Sequence, residues 1–264
     1  MLDRKPDADP EGDAPRGAAK EGEQGGSAWM ETLRTIVIAI LIAVGVRTFA
    51  YEPFNIPSSS MEPTLLVGDY LFVSKLSYGY SRHSLPFGVP LFSGRILFSE
   101  PEPGDVAVFT YPRDNKTDYI KRIVGLPGDK IEVRDGILHI NDQPVRRELL
   151  SASEAQEVGY DDARGLLYYE ILPNGRRHLI REIDDNSRLD NYPPEIVREG
   201  HFFAMGDNRD NSLDSRADVG QVPFENLVGR AEILFFSHDS SSAWWKFWTW
   251  PSTIRFGRIG DAIE

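Results

Sequence analysis

The sequence predicts a mostly β protein preceded by one apolar helix. Short runs rich in β-branched and aromatic residues recur from residue 71 to residue 236, separated by clusters of Gly, Pro, Asp and Asn, which is the all-β pattern. The dipeptides Asp135-Gly136 and Asn174-Gly175 each lie between two such runs and are typical of two-residue hairpin turns. One uncharged run of 12 residues, 35–46, precedes all of the strands.

The composition argues against several classes of function. The 264 residues include 29 Lys and Arg against 41 Asp and Glu, a formal net charge of −12, without a basic block. Because nucleic-acid binding depends on clustered cations, we expect no nucleic-acid partner. The absence of Cys excludes disulfides, thiolate metal sites and Cys nucleophiles. The five His are scattered singly, so we predict no metal, no other cofactor and no His-based triad.

The uncharged run at 35–46 indicates a membrane segment. Alone it would form a helix of roughly 18 Å, shorter than the roughly 30 Å hydrocarbon core of a bilayer. Arg34 and Arg47 flank the run and can extend their stems toward the headgroups, which lengthens the span. Aromatic residues stand at interfacial positions: Trp29, Phe49, Tyr51 and Phe54. We therefore predict one transmembrane anchor over residues 29–50, the alternatives being a buried or amphipathic helix and a processed signal peptide.

The residues around this anchor predict its orientation. Residues 1–28 contain almost no large apolar side chains, so we expect a disordered tail. Residues 1–34 contain five Lys or Arg, whereas residues 51–70 contain none. Because cytoplasmic flanks are richer in Lys and Arg, the tail should be cytoplasmic and the remainder of the chain should lie outside the membrane.

The composition changes twice after the anchor. Residues 135–199 contain 14 Asp and Glu and eight Arg but no Lys, which indicates an inserted, β-rich, polar subdomain between two parts of one β domain, 51–134 and 200–247. Residues 240–260 contain four Trp and three basic residues but no acid. We expect this stretch to touch the bilayer interface and residues 248–264 to form a membrane-proximal segment, with a packed aromatic cluster as the alternative.

Three short segments carry candidate chemistry. The first, residues 57–65, has the sequence PSSSMEPTL and follows soon after the anchor. Pro57 and Pro63 keep it extended and turned, which can expose one hydroxyl and one backbone N–H together, as a serine nucleophile requires. Ser-rich turns are also common without catalysis, so the segment alone leaves both interpretations open.

The second segment, residues 118–129, has the sequence DYIKRIVGLPGD. In a strand, Lys121 shares one face with Tyr119 and Ile123. Arg122 points to the other face. Burial at an apolar site would lower the pKa of the Lys121 amine, and a neutral amine can act as a general base. The alternative is a lysine at a sheet edge whose charged head extends into water.

The third segment, residues 205–216, is a dense polar loop with the sequence MGDNRDNSLDSR after an aromatic strand. Loops rich in Asp and Asn can bind calcium, but the spacing and terminal Glu of a calcium-binding loop are absent. We therefore interpret it as a set of buried ion pairs that supports a nearby site.

Four longer segments occur in a definite order along the chain: SSSMEPTLLVGDYLFVSK, PGDVAVF, DYIKRIVGLPGDKI and FFAMGDNRDNSLDSRADVGQVPFENLVGRA. Together they cover most of residues 51–236, apart from the polar insertion. In sequence and order they resemble the successive boxes of bacterial type I signal peptidases, also called leader peptidases. Four such segments in the same order indicate the family specifically, whereas any one of them alone would not.

The resemblance implies a membrane-bound serine endopeptidase that removes N-terminal signal peptides from exported preproteins with a Ser–Lys dyad. It implies that Ser60 is the nucleophile and Lys121 the general base. The backbone N–H of Ser60 and the hydroxyl of Ser58 would form the oxyanion hole. Ser212 matches the serine that orients the lysine amine. The remaining matches imply polar support around the dyad: Asp214, Arg216, Asp207 and Arg122.

The resemblance also implies a fold, partners and a location. The fold is a β catalytic domain with an inserted β-rich subdomain, and secretory preproteins are its substrates, bound as extended peptides with small residues near the cut. The lipid bilayer is the second partner. The enzyme would be single-pass in the bacterial cytoplasmic (inner) membrane, with its catalytic domain on the outer, periplasmic side. Some family members carry two N-terminal membrane segments, whereas one is visible here.

Two other functions remain open from the sequence. A self-processing peptidase can share the Ser–Lys dyad, but it would need a DNA-binding module, which the acidic N-terminus does not offer. A non-catalytic, membrane-tethered β binding protein would use the same loops only structurally.

Overall fold

The computed structural model describes residues 24–85, 92–158, 160, 165–184, 186–239, 248 and 250–264. The predicted tail at 1–28 lies outside the described residues apart from 24–28, as do Trp244 and Trp245 of the predicted bilayer-facing stretch. Strands dominate the described part of the chain, and the mostly β fold class is confirmed.

Two compact units divide the chain, Met1–Val44 and Gly45–Glu264. The described part of the first unit is helical and belongs to helix α1, Gln24–Phe49. Within α1, the 21 residues of Trp29–Phe49 are long and apolar enough to cross a membrane, and none of their most apolar window is buried. The predicted apolar helix is therefore present, and it begins at Gln24.

The second unit is built mainly from β-strands. In chain order they are β1 Tyr51–Asn55, β2 Asp69–Ser74, β3 Val106–Thr110, β4 Asp118–Gly125, β5 Lys130–Arg134, β6 Ile137–Ile140, β7 Gln143–Pro144, β8 Arg146–Leu149, β9 Leu166–Ile171, β10 Arg177–Glu182, β11 Tyr192–Ile196, β12 His201–Met205, β13 Val222–Pro223 and β14 Leu227–Ser237. Two short helices, α2 Ala152–Glu157 and α3 Trp250–Thr253, follow β8 and β14.

The described strands form three antiparallel sheets. The largest has seven strands in the order β1-β2-β14-β3-β4-β12-β13. A four-stranded sheet has the order β11-β5-β6-β7, and a three-stranded sheet has the order β10-β9-β8. The predicted insertion, 135–199, contributes β6 to β11, and β5 joins its four-stranded sheet from before residue 135. The division of the chain at this boundary stays a prediction.

The two predicted hairpin turns differ in length. Asp135-Gly136 has positive φ at both residues (46° and 75°) and joins β5 to β6 as a two-residue turn, as expected. The turn at Asn174-Gly175 is one residue longer than predicted, because the Leu172 N–H donates to Arg176 O and three residues lie between them. The extra residue, Pro173, has no N–H to donate to the strand ladder.

Strand β3 lies at the centre of the packing. All five of its residues are buried, which agrees with its nearly continuous apolar sequence VAVFT. Its valines pack in one cluster with Met61 and Leu65, whereas Ala107 and Phe109 pack in another cluster. β3 also pairs with β4, where Ala107 lies opposite Lys121. One rigid strand therefore contacts both the 57–65 segment and the strand that carries Lys121.

The contact between β14 and β2 leaves no room for a side chain at Gly229. A Cβ atom there would lie 2.4 Å from the backbone oxygen of Ser74. We predict that Gly229→Ala lowers the free energy of unfolding by about 1–3 kcal/mol, the usual cost of overpacking. Gly257→Ala is the matched control, since nothing lies within 4 Å of a Cβ at Gly257. Equal urea unfolding midpoints for the two variants would contradict the prediction.

Candidate active site

The serine turn, residues 57–65, connects β1 to β2. Two of its apolar residues anchor it in the core, because Met61 and Leu65 are fully buried and the Leu65 N–H donates to Met61 O at 2.9 Å. Ser60 lies directly before the first anchor and is 8% exposed. The hydrophobic residues of the segment therefore fix the position of the Ser60 hydroxyl.

Lys121 approaches this hydroxyl from β4. Its Nζ lies 2.6 Å from Ser60 Oγ, within a hydrogen bond, and donates a second hydrogen bond to Ile120 O at 2.8 Å. The Tyr119 ring lies on the same side, with its centre 5.6 Å from Nζ. Only 4% of Lys121 is exposed. The structure thus brings together the two residues that the sequence singled out from segments 61 positions apart.

Burial changes the acidity of the Lys121 amine. Loss of hydration disfavours the ammonium and lowers the pKa of Lys121 from its ordinary value of 10.5 to about 8. The carboxylates of Asp214 and Asp207 act in the opposite direction and favour the charged form. Because burial prevails, a substantial fraction of the amine is neutral at mildly alkaline pH and able to accept a proton.

Ser58 lies beside the same hydroxyl. Its Oγ is 3.5 Å from Ser60 Oγ, and its side chain faces solvent. Within the described residues, the backbone N–H of Ser60 donates no hydrogen bond. A hydroxyl and a free N–H beside Ser60 Oγ are the kind of donors that stabilise an oxyanion.

Ser212 is buried close to the serine turn but does not bond to the lysine. Its Oγ has no hydrogen-bond partner among the described residues, and both hydrogen bonds of Lys121 go elsewhere. Gly206 separates the two segments, since a Cβ there would lie 2.3 Å from Ser212 Oγ and 2.5 Å from Ser60 O. Only glycine fits at this position without displacing one of the serines.

Asp214 and Arg216 form a buried ion pair inside the polar loop. Arg216 donates from Nη2 to Oδ2 at 2.8 Å and from Nε to Oδ1 at 3.1 Å. The Gly206 N–H donates to the same carboxylate at 3.0 Å. Burial raises the pKa of Asp214, but the Arg216 guanidinium and the backbone N–H groups of Gly206 and Arg216 together outweigh it and lower the pKa below its ordinary value. The polar loop therefore surrounds the ionised carboxylate of Asp214.

Arg122 and Asp207 form a second buried pair, on the opposite face of β4 from Lys121. Arg122 donates from Nε to Oδ1 and from Nη2 to Oδ2, both at 2.8 Å, and from Nη1 to Gly104 O at 2.7 Å. The Thr64 hydroxyl donates to Asp207 Oδ2 at 2.5 Å. This pair therefore links β4, the polar loop and the serine turn.

A cavity of about 600 Å³ opens over these groups. Its lining includes four residues that the sequence singled out: Ser58, Ser60, Lys121 and Ser212. Within the described strands, β12 pairs with β4 only from Arg122 to Gly125, so the edge of 118–121 is open for an extended peptide. The described residues contain no group of three or more His, Asp or Glu placed to hold a metal ion.

Three further side chains hold the serine turn, and the sequence motifs did not indicate a role for any of them. Asn208 donates from its backbone N–H to Ser60 O at 3.1 Å and from Nδ2 to Ser59 O at 3.0 Å. Asn211 donates to Ser59 Oγ at 2.9 Å, and Thr64 bonds to Asp207 as described. Both asparagines lie in the polar loop. The amide side chains of that loop were the sequence feature that could have indicated these contacts.

Known proteins match most of this chain. A family model described as signal peptidase, peptidase S26, matches residues 29–236. A signal peptidase I from Rickettsia typhi is 40% identical over 244 residues, which cover 85% of this chain and 90% of that protein. A signal peptidase I from Rickettsia massiliae is 41% identical over 248 residues, with the same coverage of both proteins.

A solved structure is also similar to this chain. It is a crystal structure of a signal peptidase I from Enterococcus faecalis V583, 28% identical, matched over 50% of this chain and 97% of that one with a TM-score of 0.30. The family model covers well over half of the present chain, and the Rickettsia relatives match over most of their length. This chain belongs to the signal peptidase family, peptidase S26.

Proposed function

We propose that this enzyme cleaves signal peptides from exported preproteins with Ser60 as nucleophile and Lys121 as general base. Its family processes signal peptides. The catalytic residues and the membrane location are what we add here. One observation carries it, the 2.6 Å contact between Lys121 Nζ and Ser60 Oγ in a buried site that lowers the pKa of the amine. A Ser–Lys dyad is expected in a protease but not in a binding protein that uses these loops only structurally.

The reaction begins when the neutral Lys121 amine accepts the proton of the Ser60 hydroxyl. Ser60 Oγ then attacks the carbonyl carbon of the scissile peptide bond, and a tetrahedral intermediate forms. The Lys121 ammonium returns its proton to the leaving amine as the C–N bond breaks, which leaves an ester between Ser60 and the signal peptide. Water, activated by the same amine, hydrolyses that ester and restores the free hydroxyl.

The groups around the dyad complete the proposal. The Ser60 N–H and the Ser58 hydroxyl stabilise the oxyanion. Ser212, whose buried Oγ has no hydrogen-bond partner among the described residues, orients the lysine amine. The Asp214–Arg216 and Asp207–Arg122 pairs keep the surrounding loop in place. An extended peptide pairs with the open edge of β4, and shallow pockets select small residues near the cut.

We further propose a setting in the inner membrane. Trp29–Phe49 would be the single transmembrane anchor, with a cytoplasmic N-terminus and the catalytic domain on the periplasmic side. Exposed aromatic residues after β14 support a membrane-proximal segment at 248–264, since Trp248 is 65% and Phe256 63% exposed. An anchored enzyme meets a membrane-inserted preprotein at high local concentration.

We predict that Ser60→Ala and Lys121→Met each lower cleavage of a secretory preprotein by at least about 10³-fold, since each removes one half of the dyad. The measurement is product formation by detergent-solubilised protein, with the cleavage site identified by mass spectrometry. Ser153→Ala, on exposed α2, and Lys130→Met, an exposed lysine paired with Asp142, are the matched controls and should cleave normally. Cleavage by either dyad variant at the wild-type rate would refute the dyad.

The pH dependence follows from the state of the base. Only the neutral amine accepts a proton, and its fraction increases about tenfold per pH unit below the pKa and levels off above it. With the pKa of Lys121 lowered to about 8, kcat/KM should rise with pH and reach half of its maximum near that value. The measurement is kcat/KM of a peptide substrate against pH. A midpoint near that of a free lysine, about 10.4, would show that the base is not a buried amine.

The oxyanion hole predicts a separate effect for Ser58→Ala. Loss of one donor to the oxyanion should lower kcat by about 10²- to 10³-fold while KM changes little, because the donor acts mainly in the transition state. Steady-state kinetics on a peptide substrate provide both constants. Ser58→Thr, which keeps the hydroxyl, should retain much of the rate. Equal activity of Ser58→Ala and wild type would exclude this hydroxyl from the oxyanion hole.

A further inference from the structure

Strand β10 of the insertion reaches the serine turn directly. Arg181, near the end of β10, is only 3% exposed. Its Nη1 donates a hydrogen bond to Glu62 Oε2 at 2.9 Å. Glu62 lies in the serine turn two residues after Ser60, and its side chain is 18% exposed. A partly buried ion pair therefore connects the insertion to the chain within two residues of the nucleophile.

Backbone hydrogen bonds tie Arg181 to the polar loop as well. The Arg181 N–H donates to Asp207 O at 2.8 Å, and the Arg209 N–H donates to Arg181 O at 2.9 Å. Between these two, the Asn208 N–H donates to Ser60 O at 3.1 Å. The end of β10, the polar loop and the serine turn are thus bonded in succession, and Arg181 contacts both of the other segments.

A second ion pair holds the insertion against the polar loop. Arg209 donates from Nη1 to Glu170 Oε1 at 2.7 Å and from Nη2 to the other oxygen, and both residues are buried. Burial raises the pKa of Glu170, but Arg209 and His178 together outweigh it and lower the pKa far below its ordinary value. Since Glu170 lies on β9, which pairs with β10, the strand that carries Arg181 is fixed in place.

Tyr160 completes the contact around Glu62. The Arg181 guanidinium lies over its ring, 5.3 Å from the ring centre, within the range of a cation–π interaction. The Tyr160 hydroxyl is 3.4 Å from Glu62 Oε2. Both partners of the ion pair are therefore oriented by a third side chain from the insertion.

We propose that Arg181 and Glu62 are positioning residues for Ser60, and that the polar insertion thereby sets the orientation of the nucleophile. The inference rests on the proposed function, in which Ser60 attacks the peptide bond. Neither residue touches the reacting atoms. Arg181 holds Glu62 in place, and Glu62 is part of the serine turn that carries Ser60. A misplaced nucleophile slows the chemical step without weakening the binding of an extended peptide.

The test compares Arg181→Met, Glu62→Gln and the double variant in the full chain. Each single change should lower kcat on a preprotein-derived peptide by about tenfold or more and leave KM within about twofold. The double variant should be no slower than the slower single one, because all three lack the same interaction. Arg181→Lys keeps the charge and should recover part of kcat. The unfolding midpoint of each variant is recorded, and kcat is measured well below it.

Arg147→Met is the matched control. It removes an ion pair of the same kind from the same insertion, Arg147 Nη1 to Glu182 Oε1 at 2.6 Å, and should leave kcat unchanged. Wild-type kcat in Arg181→Met and Glu62→Gln, or an equal loss in Arg147→Met, overturns the inference. Full activity of Ser60→Ala would instead overturn the proposed function, so the two failures are distinguishable.

Discussion

The rest of the structure depends on one constraint. The Lys121 amine must lie beside the Ser60 hydroxyl and must lose its own proton easily. Water strongly favours the ammonium form, so the site has to exclude water from Lys121, and the chain buries nearly all of this residue. The lowering of its pKa from 10.5 to about 8 corresponds to a net destabilisation of the ammonium by about 3 kcal/mol. The neighbouring strand β3, buried along its whole length, provides the packing that makes this burial possible.

The acidic residues near the amine would restore its proton if they acted alone. Asp214 and Asp207 both favour the ammonium, and each is bonded through both carboxylate oxygens to one guanidinium. The two pairs fix the polar loop, and the burial of Lys121 outweighs the effect of both carboxylates on the pKa of its amine.

Three distant parts of the chain meet around Ser60, and each is held by a different interaction. The serine turn is anchored through the apolar core by Met61 and Leu65. The polar loop is held by its ion pairs and by the close approach that only Gly206 permits. The insertion joins them through Arg181 and Glu62. Together these interactions fix the distance between the amine and the hydroxyl. Small displacements of reacting atoms slow a reaction markedly.

The sequence by itself determined the mostly β fold, the apolar helix, the two-residue turn at Asp135-Gly136 and the face of β4 on which Lys121 lies. These properties depend on side-chain periodicity and turn chemistry over a few residues, which are local. The resemblance of four segments to one family supplied the candidate roles of Ser60 and Lys121. Only the tertiary structure decided the 2.6 Å contact between them, the pKa of the amine and the Arg181–Glu62 pair, because burial and long-range contacts arise when segments far apart in sequence pack together.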